Sequence, residues 1–203
     1  MSRPPREVRR EFYRRLLERA SRGLAERGWE VYLVEDRVRA RDKILELLPE
    51  KCSVGVPGST TVREIGLIEA LEASGRRVVE HWIKASPEER RRLMREEVVQ
   101  EAFIHSPNAL TTDGELVFLD WFGNRIAGSV LGPRMLVLVA GANKVVEGLD
   151  RALERARRVA AEMNALRLGK RVEDIVSFLL VVYRAPPAIE RNCVVLVNEF
   201  LGF

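Results

Sequence analysis

Two cysteines and two histidines are all that this chain of 203 residues offers in soft or imidazole ligands. Cys52 and Cys193 each lie close to β-branched apolar residues, the setting of buried reduced thiols in strands rather than of a disulfide or a metal site. His81 and His105 have no second histidine or cysteine at ligand spacing, so no metal is expected. No apolar run approaches the roughly 20 residues that span a bilayer, which argues against a membrane partner. The opening Met1 to Arg6 has no apolar stretch behind its basic residues, unlike a secretory leader, and a cytoplasmic location is expected. There is no serine elbow, no P-loop lysine and no dinucleotide-type glycine spacing. A net charge of +4 is mild for this length. The charges are also interspersed: Arg90-Arg91-Arg92 stands between Glu88-Glu89 and Glu96-Glu97, and Arg155, Arg157 and Arg158 lie between Glu154 and Glu162. Solvated, ion-paired helix faces explain this, and no nucleic-acid partner is expected.

What is present is a full apolar complement, 46% of residues, enough for one large domain or one domain with a helical appendage. Apolar spacing predicts helices over 6–27, 36–49 and 62–73, and Ser86-Pro87-x-Glu89 caps another that runs to about 101. A short helix is expected over 124–131, and the longest over 145–168, with Val145, Leu149, Leu153, Ala156, Val159, Ala160 and Met163 as its inner stripe. Strands are expected at 29–34, 52–56, 77–82, 103–105, 178–183 and 193–197, with an Asp113-Gly114 hairpin inside 110–120. Met135 to Ala140 is uniformly apolar, as in a buried central parallel strand. Strands alternate with helices, so the class is α/β with a mostly parallel, helix-covered sheet and a β-hairpin insertion. Residues 1–49 read as an N-terminal helical segment packed on the core, and 50–203 as the α/β domain proper.

Three polar turns stand at expected strand ends, where open α/β sheets place ligands. Gly58-Ser59-Thr60-Thr61 joins a strand to a helix and offers free N–H groups and small hydroxyls to an anion. Asn108 directly follows Pro107, and Asp120, Asn124 and Arg125 add a carboxylate, an amide and a guanidinium. Gly141, Asn143 and Lys144 follow the central strand, and a lysine at a helix start is informative because the helix dipole disfavours it.

These residues resemble a known family. Ser106-x-Asn108-Ala109-Leu110-Thr111-Thr112-Asp113-Gly114 through Asp120, with Gly123-Asn124-Arg125, is similar to the signature of the LUD domain, the LutC/YkgG-like lactate-utilization family. Gly132-Pro133, Gly141-x-Asn143-Lys144, Asn164-Ala165-x-Arg167-Leu168, Gly58-Ser59-Thr60-Thr61 and the closing Asn198 to Phe203 extend the likeness over roughly 50–203. The resemblance implies a Rossmann-like sheet of the NagB/RpiA/CoA-transferase-like group. It also implies an association with L-lactate oxidation beside iron–sulfur oxidoreductase partners, and self-association stays open. Many relatives carry a cysteine-rich insert before the last strand. Here that region, Val182 to Cys193, keeps only Cys193, so no cluster or other cofactor is expected on this chain. Three readings follow. The first is a protein that binds a small anionic metabolite (carboxylate, phosphate or CoA-type) through Gly58, Ser59, Thr60, Thr61, Asn108, Asn124, Arg125, Gly141, Asn143 and Lys144. The second is an isomerase, cyclo-ligase or CoA-transferase-like enzyme using Glu64, Asp113 or Asp120 as its carboxylate. The third is a non-catalytic interaction module.

Overall fold

The structure, a computed structural model, describes residues 3–203. Among the described residues ten strands form two sheets. The large sheet runs β1(Glu30–Val34), β10(Arg191–Val197), β7(Met135–Gly141), β4(Ala102–His105), β2(Val54–Val56), β3(Val78–Glu80), and every neighbouring pair is parallel. The small sheet runs β8(Val145–Val146), β5(Ala109–Thr111), β6(Leu116–Asp120), β9(Phe178–Val182). The expected hairpin, β5–β6, is thus the centre of a second sheet that recruits β8 and β9.

Successive side chains of β7 point to opposite faces. Met135, Val137 and Val139 join a core with α2(Arg37–Leu47), α3(Thr60–Glu64) and α4(Leu67–Ala73). Leu136, Leu138 and Ala140 join one beneath α1(Pro5–Glu26) that includes Leu110, Leu116 and Phe118 of the small sheet. A third cluster packs that sheet's other face against α7(Leu149–Arg155) and α8(Ala161–Leu168). Two further helices, α5(Pro87–Val98) and α6(Asn124–Val130), complete the cover. Ser86 caps α5 as expected, accepting the Glu89 N–H. No described helix is long and apolar enough to cross a membrane.

The segment before residue 50 is more than a helical appendage, because β1 extends the large sheet by pairing with β10 along its whole length. The helix expected over 62–73 breaks at Gly66 into α3 and α4. The helix expected over 145–168 starts only at Leu149, since Val145 and Val146 pair with Leu110 and Thr111 instead. A π-helical turn, Ala156–Ala160, then separates α7 from α8. Its wider turn shifts the inward face. Val159 and Met163 of the expected stripe are exposed, and Ala161 and Ala165 are buried in their place.

Candidate functional site

Strands β2, β4 and β7 are neighbours and parallel, so their C-terminal ends lie side by side. The turns that follow them line one cavity of about 580 Å³. Gly58, Ser59, Thr60 and Thr61 come from the first, Ser106, Pro107 and Asn108 from the second, and Lys144 from the third. The segment after β6 adds Asp120, Trp121, Asn124 and Arg125, and the π turn and α8 bring Ala160, Ala161 and Arg167.

Lys144 closes a short 3₁₀ turn, Ala142–Lys144, and is not at the start of a long helix. Its position therefore owes nothing to a helix dipole. It is 3% exposed, and its Nζ donates to Ser106 Oγ at 2.7 Å, Thr61 Oγ1 at 2.9 Å and the Pro107 carbonyl at 3.2 Å. No described carboxylate forms an ion pair with it. Burial, reinforced by the Arg155 and Arg125 guanidiniums, holds its amine well below the usual lysine range, and Glu64 opposes this only in part. Arg155 is itself buried and pushed down to about 10, which leaves it charged at neutral pH. It donates to the Asn143 and Asn108 carbonyls and so ties the turns after β7 and β4 together.

The second polar centre was not anticipated. Glu97 of α5 is fully buried, and its carboxylate accepts from His81 Nδ1 at 2.9 Å and Asn124 Nδ2 at 2.6 Å. Burial pushes its carboxyl above the usual range, and the His81 and Asn124 hydrogen bonds pull it back. Both partners stand on the cavity wall. Asp120, 4% exposed, accepts the Trp121 and Ile126 N–H groups, and the Arg125 Nε lies 3.8 Å from it. Arg125 also donates to the Leu119 carbonyl. Asn108 accepts the Leu119 N–H at 2.8 Å, which fixes the turn after β4 against β6.

Gly58 has a spatial reason to be glycine. A Cβ there would lie 2.1 Å from the Trp82 indole nitrogen. Trp82 in turn carries the Arg167 guanidinium 4.3 Å from its ring centroid, a cation–π contact that holds this cation at the cavity wall.

Four expected site residues fall elsewhere. Asn143 accepts the Leu201 N–H and donates to the Gly202 carbonyl, so it anchors the C-terminal segment. Gly141 is packed against that segment, with a Cβ position 2.6 Å from the Leu201 nitrogen. Glu64 is exposed and accepts the Gly202 N–H at 2.7 Å. Asp113 sits exposed in the hairpin turn, with its carbonyl held by Arg27 Nε at 2.6 Å. None of the four lines the cavity, which takes Glu64 and Asp113 out of any acid–base role there.

A family profile, the LUD domain, matches residues 17–185. The chain belongs to the LUD-domain family. The match begins inside α1 and therefore includes β1, upstream of the residue-50 start traced from motifs. This LUD domain is also similar in structure to a DUF162 family protein from Deinococcus radiodurans, with a TM-score of 0.57 and 14% identity over 91% of this chain and 98% of that one. No curated protein matches it. In this LUD domain the two thiols are free and buried, and burial pushes that of Cys193 up to about 12. Among the described residues no group of three or more His, Cys, Asp or Glu is placed to hold a metal ion.

Proposed function

We propose that this LUD domain binds a small organic anion in the strand-end cavity, as part of organic-acid oxidation of the L-lactate type. One observation carries the reading: the charged side chains on the cavity wall are Arg90, Arg125, Arg167 and Lys170 against Asp120 alone, with the Lys144 amine beside them. Lys144 and Arg125 stand at the buried end, and Arg90, Arg167 and Lys170 at the exposed rim. Such a wall raises the local concentration of anions and favours a carboxylate or phosphate over a neutral solute. Calorimetric titration with L-lactate, a sugar phosphate and a CoA ester tests it. Binding of at least one, weakened by Arg125→Ala, is the expected result. No heat with any of them would contradict it.

A second reading, an isomerase- or transferase-type enzyme on the same site, draws on the His81–Glu97–Asn124 arrangement. A buried carboxylate orienting a cavity-wall imidazole suits general acid–base work. In this reading Glu97, acting through His81, takes the part expected of Glu64 or Asp113. A cavity between the strand ends weighs against a purely structural module.

A further inference from the structure

We propose that the Lys144 amine condenses with the carbonyl carbon of a small 2-oxo acid bound in the cavity, forming a Schiff base. The inference rests on the anion-binding reading and narrows it to one class of compound. Lysines are almost never fully buried unless they are paired. Lys144 is buried, has three neutral oxygens around its nitrogen, and has the Arg155 and Arg125 charges close enough to disfavour an ammonium. A desolvated lysine beside other cations is a nucleophile rather than a counter-ion.

The oxygen cage serves a neutral amine as well as a charged one. A free amine has two N–H donors and a lone pair. The Pro107 carbonyl can only accept, whereas the Thr61 and Ser106 hydroxyls can turn to accept or donate. Lys144, Thr61, Ser106 and Pro107 all line the cavity, so a ligand held there meets this group. Arg125, on the same wall and close enough for its charge to act on Lys144, provides a guanidinium for the carboxylate next to the carbonyl.

The step balances without an oxidant. The nitrogen lone pair forms a C–N bond while the carbonyl oxygen takes up a proton. The nitrogen then loses a proton, and the hydroxyl takes up a second proton and leaves as water as the nitrogen lone pair forms the C=N bond. Loss of the remaining N–H proton gives the neutral imine, so that two protons pass from nitrogen to oxygen overall. The Ser106 and Thr61 hydroxyls, both hydrogen-bonded to the Lys144 nitrogen, can relay the protons to and from water in the cavity.

The test uses the whole wild-type chain, pyruvate as the probe and cyanoborohydride, which reduces a C=N bond to a stable secondary amine. Peptide mapping by mass spectrometry locates the added carboxyethyl group among Lys43, Lys51, Lys84, Lys144 and Lys170. The expected result is labelling of Lys144 at about tenfold or more over any other lysine, the factor that one pKa unit makes in free amine. Even labelling, labelling of Lys170 instead, or none at all while calorimetry shows pyruvate bound would overturn the Schiff base and leave anion binding standing. If neither pyruvate nor any of the other organic anions binds, the anion reading fails with it.

Discussion

Among the described residues Lys144 has no ion-pair partner, and the consequence is measurable in stability. Its folded-state value lies well below the ordinary 10.5 of an exposed lysine. Between the two values the unfolded chain holds a proton that the folded chain does not, so stability rises with pH across that window and levels off above 10.5. Lys144→Met removes the group and should flatten the rise, seen as urea midpoints that no longer increase between about pH 8 and about pH 10. An unchanged slope in the variant would mean that Lys144 titrates normally. Glu97 invites a different comparison. Glu97→Ala leaves the His81 and Asn124 donors without their acceptor, at about 1–3 kcal/mol for each buried group. Glu97→Gln keeps an acceptor oxygen and removes a buried charge, so its melting temperature should fall clearly less. Equal melting temperatures for the two variants would contradict the role assigned to this carboxylate. The sequence disclosed these residues unevenly. Asn108, Asp120, Arg125 and Lys144 were legible because amides and charges at strand-end turns have few structural reasons to be there. Glu97 was hidden among Arg90, Arg95 and Glu96 on what reads as a solvated helix face. Gly55 in the neighbouring strand, whose Cβ position lies 1.9 Å from the Glu97 carbonyl oxygen, marks the close approach of α5 to β2 at this residue.

At the scale of elements, the close approach of α1 to the β5–β6 turn joins the N-terminal segment to the small sheet. A Cβ on Gly23 would come within 2.5 Å of the Asp113 carbonyl carbon, and Arg27 donates to the Asp113 and Tyr183 carbonyls while pairing with Glu115 at 2.6 Å. Gly23→Ala gains about 1 kcal/mol of helix propensity. It also forces a methyl group into backbone that cannot yield as a flexible side chain would, at about 1–3 kcal/mol. The clash should win, and chemical denaturation should show a net loss. A stabilised variant would contradict the contact. The periodicity that located α1, α5 and β7 failed over 145–168 for a physical reason. Two residues there satisfy their backbone in β8, and the π turn displaces the apolar stripe by a residue. Gly148, at φ 74° just before α7, was the available mark of the true helix start.

At the scale of the molecule, the α/β class followed from alternating strands and helices, but the strand order did not. Parallel pairing of β4 with β7 and β2 joins segments far apart in sequence, and it alone sets the three turns side by side. Likewise β9, which reads as another strand of one sheet, belongs antiparallel to β6 in the second. This arrangement concentrates four cationic side chains and the Lys144 amine around one cavity of about 580 Å³. Binding there should weaken as salt rises, because part of the attraction is screened over about 8 Å at physiological ionic strength. The most direct test is a calorimetric titration of L-lactate and its phosphate- and CoA-bearing competitors into wild-type protein and the Arg125→Ala variant at two salt concentrations. Saturable binding of at least one anion is expected, weaker at high salt and weaker by about tenfold in the variant, as for the loss of one charge-assisted hydrogen bond. Binding that ignores both salt and Arg125, or no binding by any anion, would contradict it.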